Sequence, residues 1–143
     1  MIRGATAKDV ATIATIETEC FGAAAWSEDL VREQLAADHR IVLIHDDVAY
    51  GVVSVLGDVA DLDRIAVLPF ARRRGIAAEV LEQLIEAAGG HGAERMLLEV
   101  GADNEAAIAL YERYGFATIS TRKGYYPGGI DARVMESRAS LGT

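Results

Sequence analysis

The sequence predicts a single α/β domain in which a central mixed β-sheet is flanked by helices on both faces. Three observations predict this fold. Short runs rich in β-branched residues recur along the chain, turn residues separate some of them, and amphipathic helical stretches separate others. Tight turns give antiparallel neighbours and helical crossovers give parallel ones, so the sheet must mix both. The 143 residues fit one domain, residues 1–143.

The chain is expected to open with a short strand and two helices. Thr6-Ala7-Lys8-Asp9 has the form of a helix-start capping box. The apolar residues that follow keep helical spacing from Val10 to about Cys20. Ser27 can cap a second helix over Glu28 to Ala37, whose acidic first turn suits the helix dipole.

An antiparallel meander is predicted next, and then alternating helices and strands. The three meander strands are separated by Asp46-Asp47 and Gly57-Asp58, which are residues typical of hairpin turns. After Gly75 an apolar helical stripe runs until Gly89-Gly90, which we expect to end the helix. The predicted strands are Ile41–His45, Tyr50–Leu56, Val59–Val67, Arg95–Val100, Phe116–Tyr125 and Asp131–Glu136, with a further helix over Asn104–Tyr114 ended by Gly115.

Composition indicates in which cellular compartment the protein functions and which classes of partner it can bind. A formal net charge of -8 argues against general nucleic-acid binding and favours cationic partners such as amines or basic peptides. The one cysteine cannot form an internal disulfide, which favours a reducing compartment. No basic-then-apolar leader is present, and no apolar run approaches the ~18 residues that span a membrane. We therefore expect a cytoplasmic protein that binds neither membrane nor nucleic acid.

The basic segment Arg72-Arg73-Arg74-Gly75-Ile76-Ala77 lies between a predicted strand and the start of a long helix. A glycine lets backbone N–H groups approach an anion, the helix N-terminus contributes partial positive charge, and arginines add planar donors. These features predict a cradle for a phosphorylated cofactor. The alternative is a solvated basic turn that only caps the helix. Motifs for nucleotide hydrolysis or hydride transfer, such as Gly-x-x-x-x-Gly-Lys-Ser/Thr, are absent from the sequence.

This hexapeptide and the order of elements resemble the GCN5-related N-acetyltransferase (GNAT) superfamily, whose acetyl-CoA signature is Gln/Arg-x-x-Gly-x-Gly/Ala. The resemblance covers nearly the whole chain and is greatest to the RimI branch, the ribosomal-protein-alanine N-acetyltransferases. The segments that carry it are Leu98-Glu99-Val100, Asn104, Ala109-Leu110-Tyr111-Glu112, Gly115-Phe116, Arg122-Lys123-Gly124-Tyr125-Tyr126-Pro127 and Asp131-Ala132. The pattern departs at Gly101 and Asp103, where that branch often has Arg and Ser.

The resemblance implies acetyl-CoA as cosubstrate and assigns residues to it. Backbone groups of Ile65, Ala66 and Val67 would pair with the pantetheine arm, much as a strand pairs with a peptide. The pyrophosphate would lie against the turn after that strand, and Asn104 would contact the cofactor. Asn104 could instead be a helix N-cap. The turn residues assigned to the cofactor are Arg72, Arg73, Arg74, Gly75, Ile76, Ala77 and Ala78.

Glu99 is the predicted general base. Leu97 and Glu99 alternate with Met96, Leu98 and Val100, which places one carboxylate near the carboxyl end of an apolar strand, where ligands gather in open α/β sheets. Acetyl transfer needs a neutral amine, and an α-amine has an ordinary pKa near ~8, so a nearby base helps. The resemblance also assigns the catalytic role to Glu99. The alternative is a carboxylate that points to solvent or pairs with an arginine.

Tyr111 is the predicted acid that protonates the departing thiolate. Asn104, Ile108 and Tyr111 stand at i, i+4 and i+7, so the amide and the phenol share one helix face. The alternative is a tyrosine packed in the core.

Other residues have two possible roles. Tyr125-Tyr126-Pro127 could shape the acceptor channel or end a strand, and Trp26 could lie near the acceptor or pack against the second helix. Cys20 is expected to be a small core residue, and the histidines have no metal-ligand spacing, so we expect no metal.

The predicted function is direct acetyl transfer, in a ternary complex, to a protein N-terminal amine, most simply an N-terminal alanine of a ribosomal protein. A second hypothesis keeps the chemistry and changes the acceptor to a lysine side chain or a small amine. A third makes the chain a non-catalytic acyl-CoA-binding module. The sequence leaves the natural acceptor, the oligomeric state and any need for a partner protein open.

Overall fold

A computed structural model describes residues 1–138 of the chain, which form one sheet and four α-helices. The strands are β1 (Ile2–Gly4), β2 (Arg40–His45), β3 (Ala49–Leu56), β4 (Val59–Val67), β5 (Arg95–Gly101), β6 (Ala117–Tyr126) and β7 (Ile130–Ser137). The helices are α1 (Val10–Phe21), α2 (Glu28–Ala36), α3 (Ile76–Gly90) and α4 (Glu105–Arg113). The predicted mixed α/β fold is therefore confirmed, and residues 139–143 of the expected single domain lie outside the described residues.

The sheet has the order β1-β2-β3-β4-β5-β7-β6, and β4 and β5 are its parallel pair. The meander turns form as expected, because Asp46 and Asp47 adopt φ values of 46° and 63° that suit tight hairpins. β4 and β5 pair only over Val59–Asp61 and Arg95–Leu97, although both strands continue beyond that point. The two strands therefore diverge and leave the middle of the sheet open on one side.

The helices cover both faces of the sheet around two apolar clusters. α1 and α2 pack on one face with residues such as Ile13, Ile16 and Ile44, all nearly inaccessible to solvent. α3 and α4 pack on the other face in a larger cluster that includes Leu81 and Leu84. The sheet is thus the middle layer of three, and the open part of β4 can be reached between the layers.

The helix ends follow the predicted caps and stop signals. Thr6 and Asp9 form the capping box, which here starts a 3-10 turn that leads into α1, and the Ser27 hydroxyl accepts a hydrogen bond from the Leu30 N–H. The expectation that Gly89-Gly90 ends α3 is confirmed, because Gly90 is the last residue of the helix, and Gly92 then takes the left-handed conformation with φ 94°. Glycine adopts this conformation without steric cost, so the chain can turn away from the helix here.

A β-bulge shapes β4 where the sheet opens. The register between β3 and β4 shifts at Val52/Val53, so Val52 faces Arg64, Val53 faces Leu62, and Asp63 is the extra residue. Bulges bend a strand and redirect its side chains. Within residues 1–138, no helix combines the length and the apolar character needed to cross a bilayer.

Candidate active site

Two grooves open where β4 and β5 separate. The first, here called the α4 groove, is lined by Ile65–Val67 of β4, the start of α3 and one face of α4. The second, here called the β6 groove, is lined by Asp61–Asp63, Leu97–Glu99 and the end of β6. β4 contributes residues 61–63 to the wall of the β6 groove and residues 65–67 to that of the α4 groove, so only Arg64 separates the two along the strand.

The α4 groove ends at a helix N-terminus that can receive an anion. Gly75 precedes α3 with φ 76°, and no side chain caps the first turn of the helix. The first N–H groups of a helix have no intrahelical acceptor and carry partial positive charge, so those of Ile76, Ala77 and Ala78 can bind phosphate oxygens. The exposed side chains of Arg73 and Arg74 lie beside this end. The predicted cradle therefore has uncapped N–H groups at its helix start, with two exposed arginines next to them in sequence.

Arg72 has a different position from its two neighbours. Its Nε donates to the Val67 carbonyl at 2.9 Å, so the guanidinium is attached to the end of β4. Cys20 Sγ donates to the same carbonyl at 3.4 Å. Cys20 is half-buried: it packs against the apolar cluster of α1, in part as expected of a core residue, and it also lines the α4 groove. Arg72 thus stabilises the wall of the α4 groove through its contact with the end of β4.

The backbone of β4 presents hydrogen-bonding groups to the α4 groove. The Val67 carbonyl receives Arg72 and Cys20, so it points away from the neighbouring strand β3. In an antiparallel ladder every second residue faces the same side, so the amide groups of Ile65 face that side too. The Val67 side chain is buried, as expected, and Ile65 packs against the same core. Only the backbone of these residues is therefore offered to a ligand.

α4 supplies the polar side chains of this groove. Asn104 Oδ1 accepts from the Ala107 N–H at 3.2 Å, which confirms the N-cap interpretation, and the residue also lines the groove. Tyr111 is half-buried, with its ring 5.8 Å from that of Phe116. Tyr111 also lines the α4 groove. Burial, followed by the nearby Tyr126, raises the pKa of Tyr111, so the phenol remains a proton donor.

Glu99 lies in the β6 groove. The predicted alternation is confirmed, because Met96, Leu98 and Val100 are buried while Glu99 is exposed. Glu99 Oε2 lies 3.2 Å from Arg122 Nε, and 35% of the Glu99 side chain is accessible. The arginine pair that sequence reasoning offered as an alternative thus occurs, and the carboxylate remains open to a ligand in the groove.

Tyr126 links the two grooves electrostatically. Burial and then the Glu99 carboxylate raise the pKa of Tyr126, and Tyr126 in turn contributes to the raised pKa of Tyr111. Such effects fall off with distance, so the three groups lie near one another. Glu99 and Tyr126 line the β6 groove, and Tyr111 lines the α4 groove.

The wall of the β6 groove is an irregular part of β6. Between Arg122 and Tyr126 this strand has two residues more than β7 opposite it, and Gly124 turns with φ 59°. Asp131 holds the irregularity by accepting from the Gly124 N–H at 2.9 Å and from Lys123 Nζ at 3.2 Å. Tyr125 stacks edge-on against Tyr126, with ring centroids 5.1 Å apart. Both tyrosines thus line the groove, as one of the two sequence alternatives proposed.

Sequence reasoning missed several groove residues. Asp61 and Asp63 carry two of the three carboxylates of the β6 groove, and the Asp63 carboxylate accepts from Ser54. Two acids at alternate positions of an otherwise apolar strand are the signal that could have found them. Phe21 lines the α4 groove from the end of α1, and its sequence context gives no such signal. Trp26 lines neither groove and packs beside α1 and α2.

Comparison with known proteins gives a consistent result. The model of the acetyltransferase (GNAT) family matches residues 10–116. The [ribosomal protein bS18]-alanine N-acetyltransferase of Salmonella typhimurium is 41% identical over 111 residues, which are 76% of this chain and 71% of that protein. The protein of the same name from Escherichia coli K12 is 42% identical over 96 residues, 65% of each. A crystal structure of the Escherichia coli ribosomal-protein-S18-alanine N-acetyltransferase, 32% identical, superposes with a TM-score of 0.87 over 100% of this chain and 96% of that one.

Proposed function

This chain belongs to the GNAT family of acetyl-CoA-dependent N-acetyltransferases, and we propose that it acetylates the N-terminal amine of a protein that begins with alanine. The observation that carries the proposal is that two grooves of opposite character lie along the same strand, one lined by residues 61–63 of β4 and the other by residues 65–67. One groove suits an elongated phosphorylated cofactor, and the other suits a cationic amine. Transfer between two substrates requires both sites to open onto one centre.

The α4 groove would hold acetyl-CoA. The N–H groups at the start of α3, with Arg73 and Arg74 beside them, would bind the pyrophosphate. The backbone groups of Ile65 and the N–H of Val67 would pair with the amides of the pantetheine arm, whereas the Val67 carbonyl already accepts from Arg72 and Cys20. Bound acetyl-CoA supplies a thioester carbonyl that a neutral amine can attack. A β4 N–H at the far end of the arm would stabilise the negative charge that develops on the carbonyl oxygen.

Glu99 would remove the proton that the attacking amine must lose. An α-amine has a pKa near ~8, so a large fraction is protonated at neutral pH and cannot attack. The groove that contains Glu99 has two further carboxylates, Asp61 and Asp63, and Arg122 as its lining cation. Such a surface attracts a protonated N-terminus, and Glu99 then accepts its proton directly or through one water.

Tyr111 would donate a proton to the thiolate of the departing CoA. As the bond from the carbonyl carbon to nitrogen forms and the bond to sulfur breaks, the thiolate needs a proton. A thiol has an ordinary pKa near ~8.5 and a phenol near ~10, and a nearby phenol can still donate within a hydrogen bond. Tyr111 lines the α4 groove and can therefore do so.

Similarity to the two bS18-alanine enzymes supports alanine as the acceptor residue. The test is an acetylation assay on peptides with N-terminal Ala, Ser or Met, and on an Ala peptide with a blocked end, all sharing one following sequence that contains a lysine. We expect acetyl transfer from acetyl-CoA to the α-amine of the Ala peptide, located by fragment mass spectrometry, and none on the blocked peptide. Acetylation of the internal lysine, or equal acetylation of the blocked peptide, would contradict the proposal.

A further inference from the structure

An ion pair between a fully buried glutamate and a partly buried arginine lies behind the junction of the two grooves. Glu17 of α1 is 0% exposed and accepts from the Trp26 N–H at 2.8 Å and from the Tyr50 hydroxyl. Arg64 of β4 donates from Nη2 to Glu17 at 3.1 Å and to the Ala24 carbonyl at 3.4 Å. Removing one member of such a pair leaves a buried charge unpaired, so the arrangement resists change. The position of the Arg64 guanidinium is therefore fixed.

Two aromatic rings sandwich that guanidinium. Its central carbon lies 4.3 Å from the centroid of the Phe21 ring and 4.4 Å from that of Trp26. Contacts of this kind stabilise the position of a ring as well as that of a cation. The two rings differ in one respect: Phe21 lines the α4 groove, while Trp26 lines neither groove. Arg64 thus positions Phe21 as a rigid part of the groove wall.

Phe21 lies at the end of the groove where an acyl group would be. Phosphates at the start of α3 place the cofactor's polar end beyond Val67, and the arm then runs back along β4 toward Ile65. The next residues in that direction, Arg64 and Asp63, lead into the β6 groove, from which the amine arrives. The reacting carbon must therefore lie at this junction, beside the Phe21 ring that Arg64 supports.

We propose that Phe21 limits the transferred acyl group to acetyl, and that Arg64 and Glu17 act as positioning residues by holding the ring in place. The inference rests on the proposed cofactor site. The extra methylenes of a longer acyl chain would clash with this rigid aromatic wall, since protein interiors are close-packed. To relieve the clash, the Phe21 ring would have to move together with Arg64 and Glu17. Propionyl-CoA and butyryl-CoA should therefore be poor donors.

The experiment compares acetyl-CoA, propionyl-CoA and butyryl-CoA as donors to the N-terminal Ala peptide. A single methylene in a fitted pocket changes kcat/KM by roughly tenfold or more, so the wild-type protein should lose at least that factor from acetyl to butyryl. In Phe21→Ala the butyryl to acetyl ratio should rise by about tenfold. Trp26→Ala is the matched control, because it removes the other ring on Arg64 and should leave the ratio as in the wild type.

Isothermal titration of the same acyl-CoAs separates this inference from the proposed function, because binding needs no acceptor. If the wild type binds the three acyl-CoAs with different affinities and Phe21→Ala abolishes the difference, the inference is supported even where no peptide is acetylated. A failure to acetylate any peptide would then contradict only the proposed acceptor. Equal use of all three donors by the wild type would overturn the inference. So would equal shifts in the ratio for Phe21→Ala and Trp26→Ala, which would indicate general loosening. Thermal melting checks folding, and Phe21→Val replaces Phe21→Ala if the latter unfolds.

Discussion

The two grooves are built in opposite ways. The α4 groove offers the backbone of β4 and small side chains such as those of Ala106 and Ala107, together with the larger side chains of Phe21 and Tyr111. The β6 groove is lined by side chains from four strands, and its polar members include Asp63, Glu99 and Tyr126 from three of them. A shared cofactor needs the same donors in every family member, and backbone supplies them. An acceptor must be distinguished from others, which only side chains can do.

The two grooves also differ in the sign of the charge that they carry. The α4 groove ends at a helix N-terminus next to Arg73 and Arg74, which suits phosphate. Asp61, Asp63 and Glu99 face Arg122 in the β6 groove, which leaves an excess of negative charge. A chain of net charge -8 can thus bind an anion and a cation at neighbouring sites. Substitutions in each groove should therefore affect different kinetic constants.

The largest expected effect is that of Glu99→Gln. The amide keeps the shape of the side chain and removes the base, so kcat with the Ala peptide should fall by about 10²-fold or more. The KM for acetyl-CoA should stay unchanged, because Glu99 lines the β6 groove alone. Steady-state kinetics with each substrate varied in turn measure both constants.

The matched control for this substitution is Glu86→Gln, which makes the same chemical change on the exposed side of α3. It should leave both constants as in the wild type. An unchanged kcat in Glu99→Gln at saturating acetyl-CoA would remove Glu99 from the mechanism and with it the acid–base division between the grooves.

Tyr111→Phe should give the next largest effect, a loss of roughly tenfold to 10²-fold in kcat. The ring stays packed against Phe116 and only the proton donor is lost. Because burial and then Tyr126 raise the pKa of Tyr111, the phenol stays protonated through the neutral and mildly alkaline range. The ratio of wild-type to variant kcat should therefore be constant from about pH 7 to about pH 9, below the ordinary phenol pKa. A ratio that collapses toward one within this range would contradict the assignment.

The difference between the grooves also explains what the sequence could predict. The strand limits, the caps at Thr6 and Ser27, and the turn at Gly75 depend on local chemistry, and the structure confirms the caps and the turn and places each strand end within one residue of its predicted position. The Arg64 sandwich and the place of Asp63 depend on a β-bulge and on α1 crossing β4, which no local pattern encodes. The pairing of Glu99 with Arg122 was one of two open alternatives, because these residues meet across β7 only after the sheet forms.

Gly75→Ala tests the α4 groove through its backbone. A methyl group at this position would meet no atom within 4 Å, so the cost comes from φ 76° alone. An L-residue in this conformation loses about 1–2 kcal/mol, so the turn that exposes the α3 N–H groups should be less populated. The KM for acetyl-CoA should rise by about fivefold to tenfold, with the KM for peptide unchanged. Gly90→Ala is the matched control, because that glycine is helical with open space around it, and alanine favours helix. Equal effects of the two substitutions would contradict a specific role for the turn.

Asp131→Ala should give the smallest effect, and on the peptide alone. Asp131 does not line the β6 groove, but it holds the irregular segment of β6 that presents Tyr125 and Tyr126 there. Without the carboxylate the Gly124 N–H loses its acceptor, and the KM for peptide should rise by about threefold, in the range of one lost hydrogen bond. Asp131→Asn keeps an acceptor for the Gly124 N–H and should change the KM for peptide less.

The effect of Asp131→Ala should not depend on pH in the neutral range. The Gly124 N–H and then Lys123 lower the pKa of Asp131, so its carboxylate stays ionised. The ratio of the KM for peptide between Asp131→Ala and the wild type should therefore be constant between about pH 6 and about pH 9. A change in the KM for acetyl-CoA instead would mean that the two grooves are not independent.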